Sequence, residues 1–436
     1  MADAAQPLSR VTTAAASLGA WAALVAVAAV PFALGGGPGW GWGTAAGVLG
    51  VALVLEGTRG TVSPSPAVAD AACVHTACAA LLGEVALTLA QAVPGLPGAH
   101  PVWTELGAAL PGAPPPGTWS RTPAAALPNA LLVASVAAAL WLGARAPASL
   151  RAHGPVVLAG AAALASGYGL LVLQAGSEQV LWLPKPAYRD AATGPFVNRN
   201  AFAAFAGVGL LALVAAAGVQ VRRGRAPWWW ALPVGALILA GLGASASRGG
   251  IAATLIALAC LGTIAAWRDG RRVVRLGAAV GLGAMSAAAA AALAPRLAGV
   301  PEALAKRAAI HRMALEAIAE RPWLGHGAGA SDAVFRAARP ADLAYAVTQA
   351  HSIYLEAALA WGVPAAALLV AAAAGLAVAS ARRAWGGDPR GAAALGCCIL
   401  LGAHGLIDFA PQVPGVALPA AWLIGAGAAP VPRSPP

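Results

Sequence analysis

The sequence predicts an all-α integral membrane protein with about twelve transmembrane helices. Three observations carry that prediction. The 436 residues are 59% hydrophobic and only 10% charged, with a mean hydropathy of +0.73, whereas soluble chains carry about 25% charged residues. The apolar residues fall in runs close to the ~20 residues that cross a bilayer as a helix. Alanine and glycine dominate these runs, as close helix packing in lipid prefers. A water-soluble globule and a disordered chain are excluded, because so much apolar surface must be buried. Collagen is excluded because the 53 glycines have no three-residue period.

Taken in order, the candidate spans are 14–34, 42–56, 67–93, 124–144, 154–175, 195–221, 228–246, 249–266, 274–293, 350–379, 391–407 and 412–428. The first follows Arg10 and reads as a signal anchor, since it is long and lacks a small-residue cleavage site. Only 94–123, 176–194 and 294–349 are long connections, so residues 1–436 form a single polytopic domain with 294–349 as a loop or lid. The five cysteines, Cys73, Cys78, Cys260, Cys397 and Cys398, lie in apolar runs and read as small buried hydrophobes.

Orientation follows from arginine placement. Arg222, Arg223 and Arg225 share one short loop; Arg268, Arg271, Arg272 and Arg275 share another; Arg382, Arg383 and Arg390 form a third; Arg145 and Arg151 flank a fourth. With twelve spans all four fall on one side, which is then the cytoplasm, and both termini are cytoplasmic. The net charge of +11 therefore reflects membrane topology and not a nucleic-acid partner.

The basic residues on the other side need a separate reason. Lys185, Arg189 and Arg199 lie in PKPAYRDAATGPFVNRNAFAAF, with Arg199 at the opening of the sixth span between Asn198 and Asn200. Arg248 stands in SASRGG, at the turn between spans seven and eight. The loop 294–349 holds Arg296, Lys306, Arg307, Arg312, Arg321, Arg336 and Arg339. Such cations either snorkel to lipid phosphates or hold an anionic ligand, which guanidinium groups grip with two parallel hydrogen bonds. The second reading is favoured for Arg199 and Arg248, which sit beside amide or tight-turn residues. The Gly-Gly after Arg248 would let backbone N–H groups approach the same anion.

Glu302 to Glu320 reads as an amphipathic helix, with Ile310, Met313, Ala314, Ala317 and Ile318 as its apolar stripe. It serves either as a lid over a cavity or as interfacial packing. Arg312, Glu316 and Glu320 are spaced for ion pairing, whereas Arg307 has no acid four residues away and is the better placed to bind a ligand. Pro322 ends the helix, and GHGAG (325–329) reads as a flexible turn. His351 opens the tenth span in AHSIYLEAALAWG. It is either a structural histidine or a general base for a hydroxyl nucleophile. Tyr354 shares its face. No histidine has metal-ligand spacing with Cys, Asp or Glu, so no metal site is expected. Glu84 is buried in span three without an evident partner. Asp408 in HGLIDFAPQVPG either pairs with a site arginine or caps a helix.

In this order GPFVNRNAFAAF (194–205), SASRGG (245–250), RAAIHRMALEAIAERPWLGHGAG (307–329), AHSIYLEAALAWG (350–362) and HGLIDFAPQVP (404–414) resemble the O-antigen ligase family of bacterial membrane glycosyltransferases, which includes related O-antigen and exopolysaccharide polymerases. The resemblance covers about residues 190–425; the N-terminal third matches only as hydrophobic spans. It implies a GT-C-like fold of twelve spans in the bacterial inner membrane, with a long periplasmic loop before the late histidine. It also implies transfer of a glycan from undecaprenyl pyrophosphate to an acceptor hydroxyl, without metal or cofactor. For the ligase proper the acceptor is the lipid A–core oligosaccharide. The family's essential arginines fall on Arg199 and Arg248, its loop arginine on Arg307 and its essential histidine on His351. Asn198 and Tyr354 join the arginines as candidate substrate-binding residues. Two positions depart from the pattern: Ser352 stands where asparagine is common, and His311 where an aromatic residue is usual. A polymerase, using a second lipid-linked glycan as acceptor, is the close alternative. A secondary anion transporter is the alternative from another class, but the halves show no convincing repeat and the basic residues are not at the midplane.

Overall fold

The computed structural model describes residues 5–37, 39–62, 72–110, 116–270, 300–339 and 347–429, with isolated positions between 271 and 299. Fifteen α-helices are named here: α1 (Ala5–Ala29), α2 (Gly39–Val62), α3 (Ala72–Gln91), α4 (Val102–Ala109), α5 (Ala126–Arg145), α6 (Ala148–Gln174), α7 (Arg199–Arg222), α8 (Trp228–Ala244), α9 (Arg248–Asp269), α10 (Val300–Glu320), α11 (Ser331–Ala338), α12 (Ile353–Trp361), α13 (Val363–Trp385), α14 (Pro389–Gly405) and α15 (Pro414–Ala428). Among the described residues, α1, α3, α5, α6, α7, α9 and α13 are long and apolar enough to cross a membrane, and α8 and α15 are shorter apolar helices. The chain is a multi-pass membrane protein, mostly helical among the described residues. The ninth predicted span, 274–293, lies outside the described residues apart from isolated positions.

The tenth predicted span is two helices. Gly362 (φ 84°) breaks it, and α13 restarts with Pro364 in its first turn, where proline's missing N–H costs nothing. His351 does not open a helix; it stands two residues before α12, with φ 52°. The connection 176–194 folds back as an antiparallel pair of two-residue strands, β1 (Gln179–Val180) and β2 (Leu183–Pro184), a local exception to the all-α reading. The Tyr168 hydroxyl accepts the Leu181 N–H at 2.6 Å and fixes this hairpin to α6.

Two helices form the centre. From Ala201 to Leu213 every residue of α7 is buried, and α15 is buried along nearly its whole length. A helix apolar all round belongs in a core. Accordingly α7 touches α6, α8, α9, α14 and α15, and α15 touches α5 and α14. Small residues let these backbones meet. A Cβ on Gly143 would collide with the Trp422 carbonyl, and one on Gly425 with the Leu140 carbonyl, so α5 and α15 cross backbone to backbone. Gly154 makes room for the Trp422 ring, which is fully buried.

The arginines of the short loops gather at one end of the bundle. Arg145 pairs with Glu56 at 3.0 Å, Arg390 with Asp388 at 3.3 Å, and Arg383 with the same carboxylate. Arg268 donates to the Trp385 carbonyl at 2.6 Å and Arg222 to that of Gly387 at 2.5 Å. The starts of α7, α9 and α12 lie at the opposite end.

The crossing of α5 and α15 gives a stability test. Gly425→Ala should destabilise the protein by about 2 kcal/mol or more through overpacking. Gly47→Ala, whose Cβ would meet nothing within 4 Å, should be neutral or slightly stabilising, since alanine is the better helix former. Apparent melting temperatures in detergent report both, and equal temperatures for the two variants would refute the crossing.

Candidate active site

Arg199 and Arg248 are the first residues of α7 and α9. Each helix is capped by the preceding side chain. Asn198 Oδ1 accepts the Asn200 N–H at 2.7 Å, and Ser247 Oγ accepts the Gly250 N–H at 3.3 Å. Such caps satisfy the first-turn donors and fix where each arginine leaves the backbone. The two starts are tied together, because the Ser247 hydroxyl donates to Asn200 Oδ1 at 2.8 Å. Gly250 allows the approach: a Cβ there would stand 2.5 Å from that of Ala203. The glycine pair after Arg248 thus serves helix packing, and the N–H of Gly250 serves the cap, where the sequence suggested an anion ligand. The Arg199 guanidinium lies over the Tyr188 ring, 4.8 Å from its centroid, a cation–π contact.

Asp408 joins these helices to the histidine. It sits in the turn after α14, 1% exposed, and of the two sequence alternatives it takes the capping one, at the 3-10 turn Ala410–Gln412. Its Oδ2 accepts the Asn200 side-chain N–H at 2.6 Å, and its Oδ1 accepts the Ala410 N–H at 2.9 Å. His351 Nδ1 is buried and lies 3.9 Å from Oδ2, beyond hydrogen-bond range but close enough for charge attraction. The His351 side chain as a whole is 35% exposed. Burial opposes ionisation of Asp408, but the nearby imidazoles of His351 and His404 and the Ala410 N–H outweigh it, so the carboxyl is held below its ordinary value. The His351 ring also lies against Phe409, 5.5 Å between centroids.

A second carboxylate fixes the turn that carries His351. Glu356 of α12 accepts hydrogen bonds from the Ala350 N–H and the Ser331 hydroxyl. His351 itself is left-handed at φ 52°; Tyr188 (60°) and Ala246 (52°) are two more of the five such non-glycine residues among those described. Each costs of order 1–3 kcal/mol, and such strain clusters where function constrains the backbone. Tyr354 donates to the Gly402 carbonyl at 2.9 Å and ties α12 to α14.

Arg307 is half-buried on α10, and its charge reaches His404 in the last turn of α14. The predicted stripe of α10, Ile310 to Ile318, is buried against α11 and α12. The same end also holds cations with structural partners. Lys185 donates to the Ala191 carbonyl at 3.3 Å, Arg189 pairs with Glu178 at 3.2 Å, Arg336 pairs with Asp332, and Arg321 donates to the Gly325 carbonyl at 3.0 Å.

Behind α12 the GHGAG segment is packed and bonded, where the sequence suggested a flexible turn. His326 N–H donates to the Leu359 carbonyl at 2.7 Å and Gly327 N–H to that of Ala360 at 3.1 Å. A Cβ on Gly325 would strike the Ala360 carbonyl, and one on Gly327 would strike Ser120. Two buried imidazoles close this contact. Val102 N–H donates to His100 Nδ1 at 3.1 Å, so that nitrogen carries no proton. His100 Nε2–H then donates to His326 Nδ1 at 2.9 Å, and His326 Nε2–H donates to the Ala317 carbonyl at 2.8 Å. Every ring nitrogen is satisfied, and only with both rings neutral. Burial, the partner ring and the charges of Arg321 and Arg121 push His100 down to about 3. Burial chiefly lowers His326 too, against the Ala317 bond and the Glu320 charge.

Sequence reasoning did not single out Ser247, Tyr188 or His404, and it treated Asn200 only as a neighbour of Arg199. The pattern Asn-Arg-Asn at a helix start was the available signal, since an uncapped second asparagine is free to reach another segment.

Residues 233–370 match the model of the O-antigen ligase family. That stretch includes Arg248, Arg307 and His351 and excludes Arg199 and Asp408. No curated protein matches the chain. The match supports the O-antigen ligase family and, with the apolar helices, a membrane glycan enzyme of the ligase or polymerase type.

The imidazole pair predicts pH-dependent docking of the loop segments 95–110 and 116–121. Their folded values are depressed, so the released loop binds protons that the docked loop cannot. Docking is therefore strongest above the ordinary histidine value of about 6.5 and weakens by up to about 1.4 kcal/mol per proton for each pH unit below it. Amide protection factors at His100 and Arg121, whose N–H groups donate to Thr118 and His326, should fall between pH 7.5 and pH 5. Unchanged protection would rule out the neutral pair.

Proposed function

We propose that this chain uses its O-antigen ligase domain to move a glycan from undecaprenyl pyrophosphate to a hydroxyl of the lipid A–core, at the periplasmic face of the inner membrane. Its fold is a GT-C-like bundle of twelve spans with both termini in the cytoplasm. The observation that carries the reading is the hydrogen-bonded chain Ser247–Asn200–Asp408 with His351 beside it. It gathers the starts of the two arginine-bearing helices around one imidazole.

In this reading Arg199, Arg248 and Arg307 hold the donor pyrophosphate and stabilise the charge that develops as the glycosidic C–O bond breaks. Asn198 and Tyr354 complete the substrate-binding set by fixing the starts of α7 and α12. With Nδ1 buried toward Asp408, His351 uses Nε2 to take the acceptor hydroxyl proton. The acceptor oxygen attacks the anomeric carbon from the face opposite the leaving group, the configuration inverts, and undecaprenyl pyrophosphate departs. Asp408 faces Nδ1 of the imidazole and orients the ring. The 3.9 Å separation shortens when substrate binds, as such contacts commonly do. A polymerase would use the same donor chemistry. Offering lipid A–core and a lipid-linked repeat unit as separate acceptors decides between them.

His351→Ala should abolish transfer while the protein still inserts; full activity in that variant would overturn the assignment. Asp408→Asn should lower kcat by roughly 10–100-fold, below the ~10⁴-fold typical of a tightly bonded Asp–His pair. The loss should lie in kcat with KM for the donor little changed, as expected of a residue that positions the base and does not hold the substrate. An unchanged kcat would remove Asp408 from the proposed site.

A further inference from the structure

Helices α3, α5, α13, α14 and α15 leave a recess between them of about 180 Å³. Its wall is aliphatic throughout, with Leu81, Leu140, Leu369 and Ala372 among its residues. Leu140 and Ala372 are nearly buried, so it is a hollow and not a flat helix face, and the exposed Ala373 on its rim gives a sideways entrance. Membrane bundles close-pack as protein interiors do, and alanines at 77, 372, 373, 417 and 421 leave this space unfilled.

Two features indicate what fills it. The volume is near that of the ~150 Å³ apolar cavity that takes one benzene ring and below the ~300 Å³ of a small-molecule pocket. It therefore suits a short branched piece of hydrocarbon and not a whole ligand. Its position is tied to the candidate site. One end is Pro411, in the 3-10 turn 410–412 whose first N–H binds Asp408. From there it follows α15 from Ala417 to Ile424, about 10 Å at 1.5 Å per residue, or roughly a third of a ~30 Å hydrocarbon core.

We propose that this recess seats the first isoprenoid units of the lipid-linked donor, so that the chain enters the membrane beside the turn that holds Asp408. The inference rests on the donor assigned above. A C5 unit carries one methyl branch and fills a one-ring hollow without burying a polar atom. Seating it there fixes the direction in which the pyrophosphate leaves the bilayer.

Filling the hollow tests this. In the full-length protein in proteoliposomes, Ala372→Phe and, separately, Ala421→Leu should raise KM for an undecaprenyl-linked donor by about tenfold or more, as loss of a buried C5 unit implies. Transfer from a donor with a two-carbon tail should be unchanged. Equal effects on both donors, or none on either, would overturn the proposal. A prenyl pyrophosphate carrying a photoactivatable group in its first isoprene unit gives a readout independent of turnover. It should label residues 369–376 of α13, and labelling confined to other helices would overturn the proposal even if the variants misfold. If the wild-type protein transfers glycan from both donors but neither variant discriminates between them, the tail site fails and the proposed function stands. If the wild-type protein transfers from neither donor while α13 is labelled, the proposed function fails and the tail site stands.

Discussion

A carboxylate 1% exposed at the end of a membrane bundle is tolerated only if its surroundings satisfy it, and Asp408 imposes that requirement on everything near it. Two of its partners come from distant parts of the chain and one from its own turn. Asn200 belongs to the start of α7, Ala410 to the turn after α14, and His351 to the turn before α12. Asn200 is bonded in turn to Ser247 at the start of α9. One buried charge therefore connects four segments, three of them directly and α9 through Asn200. Because the carboxyl is held below its ordinary value, the charge persists at neutral pH, where the neighbouring imidazole needs it.

The same end of the molecule sorts its cations by what they touch. Lys185, Arg189, Arg321 and Arg336 are engaged with carbonyls or carboxylates of their own loops. The first three contacts lie in the hairpin loop and at the GHGAG segment, and the fourth is an exposed pair within α11. Arg199 and Arg248 instead sit at helix starts, where the backbone dipole adds positive potential. An anion near them would meet guanidinium and helix end together. Tyr188, stacked on Arg199, limits the directions that guanidinium can take.

Much of this was readable from the residues. Hydropathy located the helices because a membrane span is a one-dimensional signal, and Asn-Arg-Asn and Ser-Arg-Gly-Gly marked helix starts because capping is local. The break at Gly362 was missed because apolar residues lie on both sides of it, and a hydropathy window cannot see a change of direction; the Gly-Val-Pro sequence at 362–364 was the only clue. The His100–His326 pair was illegible, since 226 residues separate its members and neither has a distinctive neighbour. Asp408 was visible as a polar residue in an apolar stretch, but its partner could not be named, because Asn200 lies 208 positions away.

The reactive groups all stand at helix ends or in the turns beside them, so their spacing depends on how the helices are set against one another. That setting comes from close contact at glycines, backbone to backbone between α5 and α15 and backbone to side chain at α7. α15 meets α5 at Gly143 and Gly425, and α7 meets α14 and α9 at Gly207, where a Cβ would collide with Leu400 and stand 2.5 Å from Thr254 Oγ1. Without a hydrophobic drive between helices in lipid, such close contacts supply much of the association energy. They also leave little freedom to slide, because a shift along the axis would bring a side chain against a backbone that now meets a glycine. The abundance of glycine and alanine in the spans is therefore what holds His351, Asp408 and the two arginine-bearing helix starts in register.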